Sequence, residues 1–426
     1  MRAAQASADT RPSSGWLDTL RRPAVPAFPP LRGWRDTGMQ VALAGLGLVL
    51  PFSPAGVSML LGLVLVLALC SGRTLWGTAA WREPTAAIGL LLFAYLALHT
   101  ALAGPWTLHG LSAVNKYHEL LFLPLLLAAF SVISRPQAFL GGLAAGSLAY
   151  AVAHWLTPWA PQLAIELAQK RISAGFCLAL SAYLLVHERG RLAWLWRLIA
   201  AVLALTVLFR IEGRTGHVVL MLLAMAAVWN LRPGRWRLPA TVGACVALGL
   251  MALASPAVQN RMQETLSGLS APRPDASTST GIRMALLTNG WTIAAAHQPF
   301  GVGYGRYAQV HEPVARERLS REPGSKPDPA GWEVLANNPH NEYLMQLACG
   351  GIPALALLLA WMGAAALRRD ASGRSPPALA GLVLAFAIGC ALNSLLMDFV
   401  EGHFYIAVLA WLLARERRAT ASSTTP

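Results

Sequence analysis

The chain has 426 residues, 55% of them hydrophobic and only 13% charged, with a mean hydropathy of +0.48. Soluble globular domains carry about 25% charged residues, so this composition excludes one and fits a chain whose main solvent is lipid. The net charge of +14 comes from basic residues set between apolar runs, without aromatic interleaving on a soluble domain, which argues against nucleic acid as a partner.

Residues 1–37 are polar and rich in Pro and Arg. They lead into an apolar run without a small-residue cleavage site, so a cytoplasmic N-terminal tail before an uncleaved first span is expected. Apolar runs follow near 38–52, 55–71, 86–104, 118–134, 138–157, 172–188, 192–210, 216–231 and 238–256. Three more lie near 341–367, 377–397 and 403–414. A span needs about 20 apolar residues. The pattern therefore predicts an all-α polytopic membrane protein with about twelve transmembrane helices. Nine of these fall in 38–256 and three in 341–414, with a long extramembrane segment at 257–340 and a C-terminal tail at 415–426. No internal repeat is evident.

Basic residues orient this arrangement. With the N-terminus inside, 21 Lys and Arg fall on the cytoplasmic side and five in short loops opposite, while the other eight lie in the long segment. Short loops obey the positive-inside rule and long translocated segments are exempt from it, so 257–340 is expected outside. Its stretch "STSTGIRMALLTNGWTIAAAHQPFGVGYGRY" (277–307) predicts an amphipathic interfacial helix starting after Thr280. "PFGVGYG" (299–305) breaks that helix, and the charged, Pro-rich 311–333 reads as a solvated loop. The five cysteines all sit inside apolar runs, away from CxxC pairs, and read as small core residues.

The outer-side cations are exceptions to the rule that depletes them there. "FRIEGRTGHVVL" (209–220) places Arg210 and Arg214 in one short loop. A snorkelling interfacial anchor is the plain reading of Arg210. Arg214 lies between Gly213 and Gly216 at a helix start, where backbone amides and a guanidinium together suit a phosphate. Lys170 and Arg171 open another span on the same side, and Arg283 lies on the amphipathic segment.

"NNPHNEYLMQLACGG" (337–351) sets His340 directly before an apolar run. Asn338 or Asn341 is expected to cap that helix, and Pro339 restricts the residue before it. A neutral His there suits proton abstraction from a sugar hydroxyl, with Glu342 or another carboxylate orienting the ring. Asp398, Glu401 and His403 form a second outer-side polar cluster able to supply that support. The outer loops hold no DxD, HExxH or metal-spaced His/Cys cluster, and no GxSxG or P-loop is present. No metal and no cofactor is therefore expected, and the energy for a synthetic reaction must arrive in the substrate.

These residues carry a resemblance to a known family. "GRTGHVVL" (213–220), "GIRMALLTNGWTIAAAHQPFGVGYGRY" (281–307) and "NNPHNEYLMQLACGGIPAL" (337–355) resemble the O-antigen ligases of the O-antigen ligase and polymerase superfamily. His340-Asn341-Glu342-Tyr343-Leu344 matches that family's His-Asn-x-x-Leu pattern. The resemblance implies a multi-pass glycosyltransferase of the bacterial inner membrane, with its active site facing the periplasm. Such enzymes transfer polysaccharide from undecaprenyl pyrophosphate to the lipid A–core oligosaccharide, in a reaction that is metal-independent and inverting. Carried over, His340 is the general base and Arg214 binds the pyrophosphate. Arg171 and Arg283 join the donor site, with Lys170, Arg210 and Asn341 as further substrate-binding candidates. The rival readings are an O-antigen polymerase, a protein O-oligosaccharyl ligase and a non-enzymatic polysaccharide transporter. Membrane lipids are expected neighbours, and no oligomeric state follows from the sequence.

Overall fold

The computed structural model describes residues 31–76, 79–103, 108–231, 234–270, 279–321, 331–370 and 373–424. Most of the expected N-terminal tail, and 271–278 and 322–330 of the long segment, lie outside the described residues.

All regular structure among the described residues is helical. The longer helices are α1 (Trp34–Val49), α2 (Pro54–Ser71), α3 (Pro84–Ala103), α4 (Glu119–Val132) and α5 (Gln137–Leu156). Then come α6 (Arg171–Val186), α7 (Ala193–Arg210), α8 (Arg214–Leu231), α9 (Arg237–Ala254), α10 (Pro256–Ser270) and α11 (Ser279–Ala296). The last four are α12 (Tyr307–Arg321), α13 (Glu342–Ala366), α14 (Pro377–Leu392) and α15 (Phe399–Thr424). Each apolar run lies mainly on one of these helices. Among the described residues seven helices, formed on α2, α3, α5, α7, α8, α9 and α13, are long and apolar enough to cross a membrane, while α6 and α14 are shorter apolar helices. Their start signals are simple chemistry. Ser53 accepts the Gly56 N–H ahead of Pro54 in α2, and α14 opens on Pro377.

Where the water would be, large apolar side chains point outward. On α9 only Ala252 is buried, and Leu238, Val242, Val246, Leu250 and Leu253 are exposed. A soluble bundle would not tolerate that face, whereas lipid solvates it. The centre is α15, buried continuously from Glu401 to Ala414.

The two ends of the bundle differ. At the far end of α15, Arg417 and Arg368 (just past α13) both pair with the buried Glu83, and Arg415 pairs with Glu188. Arg418 donates to the carbonyls of Phe130 and Ser131, which end α4. At a rise of about 1.5 Å per residue, that cluster stands roughly 24 Å from the start of α15. The opposite end gathers the starts of α6, α8, α13 and α15 and the end of α14.

Two details there depart from a simple span reading. The apolar run at 377–397 is not one helix: α14 stops at Leu392, residues 393–398 form a turn, and α15 starts at Phe399. Leu395, Leu396 and Met397 are apolar because they are buried in protein, so hydropathy alone cannot separate them from a span. The second departure is inside α13, where Gly351 takes φ 68° and Pro353 follows. Pro353 has no N–H, which would free a carbonyl of the preceding turn in the apolar interior. The loop after α11 satisfies that turn: Val302 N–H donates to Ala348 O at 2.9 Å and Gly303 N–H to Cys349 O at 2.8 Å. Ile352 N–H in return donates to Pro299 O at 2.9 Å. The glycine-rich "PFGVGYG" therefore does more than stop a helix. Its backbone mends the break in α13.

Candidate active site

His340 is the only non-glycine residue with positive φ (52°) among the described residues. A β-carbon in the left-handed region carries a cost that local hydrogen bonds must offset. They are present. Asn338 Oδ1 accepts the His340 N–H at 2.9 Å, and Asn341 Oδ1 caps α13 by accepting the Leu344 N–H at 2.9 Å. Asn341 Nδ2 also donates to Ala391 O at 2.9 Å, and Tyr343 OH donates to Ala387 O at 2.8 Å. The motif is thus fastened to the last turns of α14. Both asparagines serve the geometry of His340, one before it and one after.

The imidazole meets the turn that follows α14. Its Nδ1 lies 2.8 Å from Asn393 Oδ1, and Asn393 Nδ2 donates to Asp398 Oδ2 at 2.9 Å. Burial holds the His340 pKa below the ordinary histidine value, and the nearby Arg283 charge acts in the same direction while the Asn393 hydrogen bond opposes both. The ring is therefore neutral near pH 7. Burial raises the Asp398 carboxyl above the usual range, against the Lys116 charge and the Asn393 hydrogen bond.

Glu342, two residues past His340 in sequence, faces elsewhere. Its Oε2 accepts the Leu396 N–H at 3.0 Å and its Oε1 accepts from Gln346 Nε2 at 2.8 Å, with Tyr117 OH at 3.4 Å. Gln346 Oε1 in turn accepts from Tyr304 OH. Glu342 therefore holds the turn that carries Asn393 and Asp398, and the carboxylate behind the ring is Asp398, acting through an amide.

The cations approach from two neighbouring helix starts. A Cβ placed on Gly216 would stand 2.5 Å from Gly175 Cα, and one on Gly213 would stand 2.8 Å from Arg171 O. Only glycine permits that approach, and it sets the first turns of α6 and α8 side by side. Arg171 is the first residue of α6, with the exposed Lys170 before it, and Arg214 is the first residue of α8. Ser173, in the first turn of α6, donates to Glu401 Oε1 at 2.8 Å, tying α6 to the start of α15 beside Asp398.

Arg214 reaches the first turn of α11. Its NH1 donates to Thr280 Oγ1 at 2.8 Å and its NH2 to Ser279 Oγ at 3.3 Å, with Glu264 Oε1 at 3.4 Å. One turn along α11 lies Arg283, the residue whose charge acts on His340. The start of α11 thus joins the arginine side of the site to the histidine side. An anion placed there would meet guanidinium groups and the positive ends of helices together.

Arg210 is not part of this cluster. Its Nε donates to His154 O at 3.2 Å, its NH2 to Thr157 Oγ1 at 2.7 Å, and its guanidinium lies 5.3 Å from the Trp155 ring. It closes the end of α5, in keeping with an interfacial anchor. Among the described residues, no three His, Cys, Asp or Glu side chains converge to hold a metal ion. Neither Asn393 nor Lys116 belongs to the residues that the sequence singles out for the site, Lys116 being one of the five basic residues in short outer loops. Asn393 was the legible signal, as the one amide inside an otherwise apolar run.

The fold and its polar end define a multi-pass helical membrane protein with a histidine and several arginines gathered at one end of the bundle. Residues 199–359 match the family model described as O-antigen ligase, and on that stretch the chain is similar to that family. No curated protein matches the chain. The matched stretch contains Arg210, Arg214, Arg283, His340 and Asn341, whereas Lys170, Arg171, Asn393 and Asp398 lie outside it.

Proposed function

We propose that the protein is an O-antigen ligase, a metal-independent, inverting glycosyltransferase of the bacterial inner membrane. In this reading about twelve helices cross the bilayer, residues 257–340 lie in the periplasm, and the clustered end of the bundle faces that compartment. The donor is polysaccharide on undecaprenyl pyrophosphate, and the acceptor is a hydroxyl of the lipid A–core oligosaccharide.

The observation that carries the reading is His340 itself. It lies within the family match, it is held in a left-handed conformation by two flanking asparagines, and Arg283 is its neighbour. In the proposed step the acceptor oxygen attacks the anomeric carbon while the bond from that carbon to the pyrophosphate oxygen breaks. The acceptor proton passes to His340, and undecaprenyl pyrophosphate leaves with the bonding electrons. A positioned base contributes typically 10²–10⁴-fold. The charge growing on the phosphate oxygens is stabilised by Arg214, Arg171 and Arg283, with Lys170 at the rim and helix N-termini adding potential. Preorganised cations suffice for this, without a metal. Arg210 has a scaffold role, and Asn341 serves by capping α13.

Complementation of a ligase-deletion strain tests the proposal. The wild-type gene should restore the long-chain lipopolysaccharide ladder on gels. His340→Ala should leave bare lipid A–core while lipid-linked polymer accumulates. A normal ladder from His340→Ala would remove the base assignment. Attachment of single repeat units by the mutant would indicate a polymerase, and unchanged lipopolysaccharide with loss of protein glycans would indicate a protein ligase.

A further inference from the structure

We infer that Asn393 and Asp398 are positioning residues that fix the tautomer and orientation of His340, so that Nε2 is the nitrogen presented to the acceptor hydroxyl. The inference rests on the proposed role of His340 as the base. An ionised Asp398 carboxylate can only accept hydrogen bonds, so the Asn393 group facing it at 2.9 Å is the NH2. The Asn393 oxygen must then face His340, and an oxygen 2.8 Å from Nδ1 requires that Nδ1 carry the proton. In a neutral ring Nε2 is left with its lone pair, which is the form a general base needs. The amide passes on the polarity of a carboxylate without placing a negative charge against the ring.

This arrangement also agrees with the sign of the His340 environment. A carboxylate in direct contact would favour the imidazolium and raise the proton affinity of the ring. The interposed amide avoids that, and Arg283 acts in the opposite direction. The charged and titratable neighbours of the chain are Arg283 on α11, Lys116 before α4, Glu342 on α13, and Glu401 on α15. Asn393 is 3% exposed and 53 residues from His340 in sequence, and its backbone N–H is separately engaged with Gly389 O at 2.8 Å. Its side chain is thus available for the ring while the main chain ends α14. Glu342 completes the device by holding the Leu396 N–H in the same turn.

The test uses the full-length protein in nanodiscs, with lipid-linked oligosaccharide as donor and purified lipid A–core as acceptor. Asn393→Ala should lower kcat by about 10–10³-fold, within the total a base supplies, while donor KM changes little. Asn393→Asp keeps an acceptor on Nδ1, so it should retain far more kcat than Asn393→Ala. Its acid limb should move to higher pH, because a carboxylate now touches the ring. Asp398→Asn removes the rule that orients the amide and should lower kcat severalfold. The exchange variant Asn393→Asp/Asp398→Asn restores a single consistent donor order and should recover activity over Asn393→Ala. A merely structural role would lower activity and thermal stability together, with no displacement of the pH profile. Wild-type kcat and pH profile in Asn393→Ala, or equal loss in Asn393→Ala and Asn393→Asp, would overturn the inference. His340→Ala separates the two claims: if it keeps full activity the base reading falls, and if it is inactive while Asn393→Ala is normal only the positioning role falls.

Discussion

Gly175 and Gly216 pack α6 directly against α8, so closely that a Cβ on Gly216 would stand 2.5 Å from Gly175 Cα. That contact decides where two arginines go, because Arg171 and Arg214 each open one of the two helices. Gly216→Val adds a branched side chain where the opposing atoms are backbone, which cannot rotate away. Overpacking of this kind costs about 1–3 kcal/mol. The expected result is a lower Tm in detergent together with a raised donor KM, measured on the same preparation. A variant of normal Tm and KM would show that the helix starts need not be adjacent.

Arg214 reaches Thr280 and Ser279 with two different nitrogens, 2.8 and 3.3 Å away, and lies beside Glu264. A lysine offers a single point of charge and cannot reproduce that fork. Arg214→Lys should therefore lose up to about 10²–10³-fold in kcat/KM, the range of removing one stabilising donor to a developing anion. Arg214→Ala should lose at least as much. Steady-state kinetics with lipid-linked donor decides it, and full activity of Arg214→Ala would take the residue out of the site.

The pH dependence follows from the sign of the His340 shift. Burial and Arg283 both favour the neutral ring, so the folded pKa lies below the ordinary histidine value of about 6.5. With His340 as the proposed base, the active form is the neutral one, present above that lowered pKa and lost as pH falls through it. The acid limb of kcat/KM should thus have its midpoint below about 6.5. Arg283→Gln removes a charge that repels the proton and should move the limb to higher pH, whereas Arg283→Lys should leave it near the wild-type position. An unmoved limb in Arg283→Gln would separate this charge from the histidine.

Glu342 accepts one backbone and two side-chain hydrogen bonds in a fully buried place. Glu342→Gln keeps the shape but replaces one acceptor oxygen by an NH2, which faces a donor on at least one side. Leaving a buried group unsatisfied costs about 1–3 kcal/mol. The expected signature is a lower Tm and faster proteolysis in the 393–398 turn, with activity falling in proportion to the folded fraction. A loss of kcat at unchanged Tm would instead give Glu342 a direct part in the chemistry.

Much of this was legible in the sequence, and the reason is physical. Lipid penalises unpaired backbone polar groups, so apolar runs of span length must be helices. Each of the runs lies mainly on one. His340 was legible because a polar, chemically capable cluster directly before an apolar run is costly without a purpose. Arg214 stood out as a cation at a helix start on the side where cations are scarce, whereas Arg210, in the same loop, is spent on closing α5.

Other features had no signal along the chain. The turn at 393–398 is apolar because protein surrounds it, so it looked like the end of a span. Glu342 is two residues past His340 in sequence yet serves Leu396, because His340 sits before the helix in the left-handed region while Glu342 opens it. The sequence by itself determined the helices, the polar end and the residue types able to do acid–base and phosphate chemistry. Only the tertiary structure decided which nitrogen of His340 is engaged and which carboxylate lies behind it. Those depend on contacts between residues more than 50 positions apart, formed where α13, α14 and α15 meet.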